Sequence, residues 1–153
     1  MAVFIAGCSD SESEKAVVYE EEVFEEEVDV DAWVGEWWPD LVEKEAANGF
    51  NSLQEMDQVK FGVNLVDAEV RNGGLDQFYR IASGDLIARL PSLFLKVGAT
   101  RTASELKRIN ALFPGGTPAF GEDEREEQIE EGGEKMKAAF EAFDVFFRGS
   151  DDV

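Results

Sequence analysis

Apolar residues recur at every third or fourth position along most of this 153-residue chain, and this spacing predicts α-helices. The longest regular run forms one face of a single helix and comprises Leu53, Met56, Val59, Val63, Val66 and Val70. Alternation of apolar and polar residues, which is typical of half-buried strands, is almost absent. The pattern therefore predicts an all-α fold, with a single compact helical domain of about six to seven helices over residues 31–148.

Two predicted helices meet at a double glycine, and the segment around it contains the most regular local signals in the chain. Its structural motif comprises Asn72, Gly73, Gly74, Gln77, Phe78, Tyr79, Ser83 and Gly84. The Asn-Gly-Gly sequence accepts positive φ and can end the first helix. Leu75 and Ile81 extend the apolar stripe of the second helix. The side chains of Asp76 and Gln77 could accept hydrogen bonds from the free amides in the first turn of that helix. Residues 83–85 are predicted to close this short helix.

Proline, glycine and small polar residues predict the remaining helix boundaries. Pro39 either kinks the first helix or starts a new one. Asn51–Ser52 are predicted to cap the following long helix, and Thr100 or Thr102 to cap a later one. Gly132–Gly133 are predicted to end an acidic helix ahead of the last apolar stripe.

The two ends of the chain differ from this helical domain. Residues 1–30 form an acidic N-terminal tail that is either disordered or weakly helical, and residues 149–153 form a short acidic C-terminal end. Residues 1–8 resemble a truncated lipoprotein signal, in which Cys8 would carry the lipid. The apolar run before Cys8 is short and has no basic residue ahead of it, which favours a frayed terminus with a free thiol instead.

Charge is both extreme and segregated in this chain. There are 34 acidic and 14 basic residues, a formal net charge of −20, yet residues 51–110 carry 7 acidic and 8 basic residues. The negative charge therefore lies towards the ends. Such a surface repels nucleic acid and anionic lipid and attracts basic partners, although it could also serve only to keep the protein soluble.

The candidate partner-binding surface combines acidic residues of the tail with those of a predicted helix over residues 122–131. It comprises Glu20, Glu21, Glu22, Glu25, Glu26, Glu27, Glu122, Asp123, Glu124, Glu127, Glu130 and Glu131. Successive helical turns present carboxylates about 5.4 Å apart, and duplex DNA carries one charge per about 1.7 Å of its axis. Two or three acidic helices side by side could therefore imitate the charge density of DNA.

Catalytic chemistry has few of the residues that it needs. The chain has no histidine and a single cysteine, which removes the usual general base, the usual metal ligand and any internal disulfide. The glycine pairs do not follow strands and lack the lysine of a phosphate-binding loop. The sequence therefore predicts no catalytic residues, no metal site and no cofactor, and it favours a binding protein over an enzyme.

The segment Val70–Tyr79, followed by Ser83–Asp85, resembles the DNA-mimic protein 19 family of bacteria. The family motif is close to Val-x-Asn-Gly-Gly-Phe-x-Gln-Phe-Phe, and this chain departs from it in having Leu75 and Tyr79 at two aromatic positions. The resemblance continues through Arg125 to the aromatic C-terminal helix. It implies a protein that occupies the DNA-binding surface of a partner by presenting a DNA-like pattern of charge.

The predicted function is that of an acidic protein-binding module that mimics duplex DNA. Its partner would be a basic, DNA-binding protein in the cytoplasm, it would not bind nucleic acid directly, and a homodimer remains open. One alternative is an immunity-type inhibitor of a basic toxin or nuclease. Another is a lipid-tethered envelope protein that carries the same domain and reaches the membrane through Cys8.

Overall fold

The computed structural model describes residues 30–150 of the chain, and their side chains from residue 35 onward. This part contains six α-helices and two single-turn 3₁₀ helices, at Phe50–Ser52 and Pro114–Gly116, and no strand. The α-helices are α1 (Val30–Asn48), α2 (Glu55–Asn72), α3 (Gly74–Ile81), α4 (Gly84–Lys96), α5 (Thr100–Asn110) and α6 (Glu122–Arg148). The predicted all-α fold is therefore confirmed. Cys8 and the acidic residues of the tail lie outside the described residues.

The core lies where α2, α3, α4 and α6 meet, and α5 packs against α4 and α6. Aromatic rings join these helices. The ring of Tyr79 on α3 lies 5.4 Å from that of Phe140 on α6, and Phe147 on α6 lies 6.2 Å from Phe94 on α4. Such contacts stabilise the fold through apolar burial together with favourable ring geometry. The second half of α6 is thus a central element of the core.

The stripe predicted on α2 is correct over most of its length. Val59, Val66 and Val70 are buried, while Val63 is half-buried. Met56, at the start of the helix, is 64% exposed, so its inclusion in the core is wrong. It lies in the first turn, ahead of the point where the packed face of the helix begins.

Helix α1 continues through Pro39 to Asn48, so the prediction that this proline starts a new helix is wrong. Residues on both sides of the proline are packed. Trp38 stacks on Phe61 of α2 with ring centroids 5.4 Å apart, and Leu41 is buried. This packing opposes the loss of one helical hydrogen bond at Pro39. No helix within residues 30–150 is long and apolar enough to cross a membrane.

The helix caps were predicted poorly. Gln54, not Asn51 or Ser52, precedes α2, and its side chain makes no capping bond. Asn51 Nδ2 instead donates to Asp85 Oδ1 over 2.6 Å, and Ser52 Oγ donates to the carbonyl of Gly49. Each side chain has found a partner outside the helix that follows it.

The start of α5 also differs from the prediction that Thr100 or Thr102 caps it. Ala99 is the capping residue, Thr100 is already the first helical residue, and Thr102 is buried one turn inside. The helix begins early because the chain turns at Gly98, which has φ 80° and whose carbonyl accepts a bond from the amide of Thr100.

Candidate protein-binding face on helix α6

The first half of α6 carries a continuous run of acidic side chains that we call the acidic face. It comprises Glu122, Asp123, Glu124, Glu126, Glu127, Glu130, Glu131 and Glu134, all of them exposed. Six of these were predicted as partner-binding residues, whereas Glu126 and Glu134 were missed although they stand in the same run. With a rise of about 1.5 Å per residue, the seven members that precede Gly133 extend over about 14 Å.

The opposite side of this half-helix is held down by Arg125, which is fully buried. Its guanidinium donates to the carbonyl oxygens of Tyr79 and Ala82 at the end of α3. It also donates to those of Ala119 at 2.9 Å and Phe120 at 3.0 Å, in the loop before α6. A planar guanidinium can satisfy several carbonyls at once, and the negative end of a helix dipole favours a cation there. Arg125 therefore fastens the acidic face to the core.

Burial disfavours the charged form of Arg125 and so lowers its pKa, while the carboxylate of Glu122 acts in the opposite direction. Burial likewise raises the pKa of Tyr79, whose hydroxyl donates to Asn110 Oδ1 over 2.6 Å. The phenol is therefore neutral and serves as a donor that ties α3 to α5. The family resemblance included Arg125, but its position within a run of glutamates does not indicate that it is buried.

One edge of the acidic face is partly neutralised by Arg80 on α3. The guanidinium lies 3.1 Å from Glu126 Oε1 and 4.0 Å from Glu130 Oε1, and it also pairs with Asp76 of its own helix. Across residues 35–150, no ion pair involves the outermost carboxylates, those of Asp123, Glu124, Glu127 and Glu131. These four side chains are therefore available to a partner. Despite the density of carboxylates, no group in the described part of the chain could hold a metal ion.

The double glycine places α3 against the second half of α6. Gly74 has φ 88°, whereas Gly73 has φ −127°, so the left-handed conformation belongs to Gly74 alone in this turn. A Cβ at Gly74 would lie 2.5 Å from Asp144 Oδ2. Asp144 Oδ1 accepts the amide of Leu75 over 2.8 Å, so the predicted capping by Asp76 or Gln77 is wrong. A carboxylate 69 residues further along the chain satisfies this amide instead.

The rest of the motif is structural too. Ser83 Oγ accepts the amide of Leu86 and so opens α4, which corrects the prediction that residues 83–85 close α3. Gly84 lets the loop before α6 approach, since a Cβ there would lie 2.3 Å from the carbonyl oxygen of Phe120. Phe78 and Tyr79 are fully buried, but Ile81 is 57% exposed and does not belong to the core stripe. Asn72 and Gln77 are exposed, and Gln77 Nε2 donates to Glu69 Oε2.

The Gly132–Gly133 pair interrupts α6 without ending it. Gly133 has φ 51° and ψ −138°, outside the helical region, and the helix continues beyond it to Arg148. The predicted break is thus a kink within α6. It separates the acidic face, apart from Glu134, from the aromatic half of the helix.

Comparison with known proteins gives one match. No curated protein and no solved structure matches the chain. The family model described as DMP19-like protein matches residues 51–153, about two thirds of the chain. The match begins just before α2 and includes the double glycine, Arg125 and the whole of α6. The chain therefore belongs to the DMP19-like protein family.

Proposed function

We propose that this protein is an acidic binding module that imitates the charge of duplex DNA and occupies the DNA-binding surface of a basic partner protein. One observation carries the proposal. The eight acidic residues within residues 122–134 all face solvent, while Arg125, the sole basic residue of that segment, is buried. The family name supports the same role.

The density of charge on the acidic face suits this role. The seven carboxylates before Gly133 lie over about 14 Å and give one charge per about 2 Å, close to the about 1.7 Å per charge of duplex DNA. A basic cleft shaped for phosphates would meet a similar number of charges along the helix. The contacts of Arg125 hold these carboxylates on a fixed backbone, so the helix loses little conformational entropy when a partner binds.

The proposed activity is binding, with no chemical step and no cofactor. It requires the protein to share a compartment with DNA-binding proteins, which places it in the cytoplasm. Lipid attached to Cys8 in cells that express the gene with its natural upstream sequence would contradict that location. Labelling with a palmitate analogue followed by membrane fractionation measures this directly.

The test is competition with DNA. Proteins from an extract of the host bacterium are bound to the immobilised chain and eluted with duplex DNA, and the eluted partner is then purified. The chain should displace this partner from labelled duplex, and the displacement should weaken steeply between about 50 and 200 mM salt. The variant E124K/E127K/E131K should compete at least tenfold less well, because it reverses three of the charges that face solvent.

A matched control separates the acidic face from net charge. The variant E36K/D40K/E43K changes the same number of exposed acidic residues at similar helical spacing on α1. It should compete nearly as well as the natural chain. Partner binding that survives both the α6 reversal and about 0.5 M salt would contradict DNA mimicry. A partner that is a nuclease and loses its activity in the complex would instead identify the chain as an immunity-type inhibitor.

A further inference from the structure

An exposed aromatic side chain stands at the beginning of the acidic face. Phe120 is 68% exposed, whereas the other phenylalanines within residues 35–150 are buried or half-buried. Ile81, at the end of α3, is 57% exposed. Single exposed apolar residues are common on protein surfaces, so the meaning of this pair depends on how it is held.

The two residues lie on neighbouring segments of backbone. The guanidinium of Arg125 donates both to the carbonyl of Phe120 and to that of Ala82, the residue after Ile81. Gly84 brings the segments closer still, because its missing side chain leaves room for the backbone and ring of Phe120. The backbone at Phe120 and the backbone beside Ile81 therefore lie close together, and both side chains are exposed there.

The loop that carries Phe120 is fixed at successive residues. The amide of Ala119 donates to Gln128 Oε1 over 2.8 Å, and the carbonyl of Ala119 accepts from Arg125 Nη1 over 2.9 Å. With the bond at Phe120 itself, three hydrogen bonds tie the loop to side chains of α6. A ring displayed on such a backbone loses little conformational entropy on binding. It has the character of an interface anchor: a rigid aromatic group with charged residues at its rim.

We propose that Phe120 and Ile81 form an apolar anchor beside the acidic face, and that the two together bind a basic protein segment carrying an apolar side chain among its lysines and arginines. Charge selects this occupant. Glu122, Asp123 and Glu124 begin two residues after Phe120 and are exposed. Of the nearby cations, Arg125 is buried, and Arg80 is paired with Asp76 and Glu126. An acidic partner, or an apolar partner without charge, would gain less binding free energy from the carboxylates beside this anchor. The proposal rests on the function proposed above and adds that charge alone does not define the partner.

The test uses two short synthetic peptides of equal charge and full-length protein. One peptide consists of lysine, arginine and two leucines; in the other, serine replaces both leucines. Calorimetric titration should show that the leucine peptide binds about tenfold more tightly, a difference of about 1.4 kcal/mol. F120A should abolish this preference and leave binding of the serine peptide unchanged. V145A removes a side chain that is 77% exposed near the other end of α6 and should leave the preference intact.

The location is checked by NMR of the isoleucine methyl groups, with the Ile81 signal assigned through I81V. The leucine peptide should shift the Ile81 signal in the natural chain, and much less so in F120A. Equal binding of the two peptides, no binding of either, or a leucine preference that persists in F120A would overturn the proposal. Failure of the charge-based function has a different signature, since E124K/E127K/E131K would then leave binding of the serine peptide unchanged.

Discussion

The two halves of α6 are built on opposite principles, although they form one helix. Before Gly133, only Arg125 and Ile129 are buried, and the exposed side chains are mostly carboxylates. After it, Met136, Phe140, Phe143 and Phe147 enter the core. The second half is held by apolar burial, whereas the first half is held largely by the hydrogen bonds of one arginine.

This difference shows how a highly charged surface can be kept ordered. A run of glutamates has little apolar area of its own, and its like charges repel one another by a few tenths of a kcal/mol per pair. The four hydrogen bonds from Arg125 to carbonyls attach this half of the helix to the core without involving any exposed side chain. The charged surface is thus held mainly by one buried arginine side chain that binds a core built elsewhere.

The largest expected effect lies in the second half. Phe143→Ala should lower the free energy of unfolding by about 3–5 kcal/mol, because it removes a fully buried ring that stacks on Phe147 at 5.5 Å. Urea denaturation followed by circular dichroism measures this loss. Val145→Ala, two residues away and exposed, should change stability by less than about 0.5 kcal/mol. A loss below about 1 kcal/mol for Phe143→Ala would mean that this half is not the core element described here.

A smaller and more local effect is expected in the first half. Arg125→Met should cost about 2–4 kcal/mol, because it leaves buried carbonyls without their donor. Hydrogen exchange should rise more at residues 122–132 than at residues 136–147. Arg108→Met is the control, since Arg108 is half-exposed and, among residues 35–150, pairs only with Glu105 of its own helix, an interaction that contributes about 1 kcal/mol at most. Equal exchange increases in both halves would show that Arg125 does not act locally.

The smallest effect concerns Asp144, an acidic residue of the second half that serves the fold. Burial raises its pKa, against the opposing effects of the Leu75 amide and Arg148, so the folded protein holds the proton more tightly than the unfolded chain. This contribution to stability is complete below the ordinary value of 3.8 and is lost as pH rises through the folded-state pKa. Asp144→Asn keeps an acceptor for Leu75 and carries no charge. Relative to the natural chain, it should therefore gain stability as pH rises from about 3 to 7.

Asp144→Ala separates the hydrogen bond from the charge. It leaves the amide of Leu75 without its acceptor and should cost about 1–3 kcal/mol at neutral pH. Thermal unfolding of the natural chain, Asp144→Asn and Asp144→Ala across this pH range measures the effect of the hydrogen bond and that of the charge. A difference between Asp144→Asn and the natural chain that does not vary with pH would contradict the raised pKa.

Sequence periodicity was a good guide wherever a helix packs through one apolar face. The face of α2 and the aromatic stripe of α6 were recognised because burial selects side chains at a regular spacing. The exceptions, Met56 and Ile81, stand at helix ends, where an apolar residue continues the pattern but has no neighbour to cover it. Periodicity reports the face of a helix and not the point at which its packing stops.

The contacts that hold the acidic face were not predictable in the same way. Two of the carbonyls that bind Arg125, those of Tyr79 and Ala82, lie 46 and 43 positions earlier in the chain, and Asp144 reaches Leu75 across 69 positions. Such partners depend on the assembled fold, whereas capping rules consider only neighbours along the chain. Ser83 illustrates the same limit at short range, because the Ser-Gly-Asp sequence that it begins suits the end of α3 and the start of α4 equally well.

The kink at Gly133 has a consequence for how the acidic face is oriented. In an unbroken helix, each residue is rotated by about 100° from the one before it, so the direction of one half determines that of the other. A glycine with φ 51° interrupts that relation. The direction of the first half is therefore set by its own buried side chains, Arg125 and Ile129, and not by the aromatic stripe beyond the kink. Any change that turned the carboxylates towards another direction would draw these two side chains out of the core.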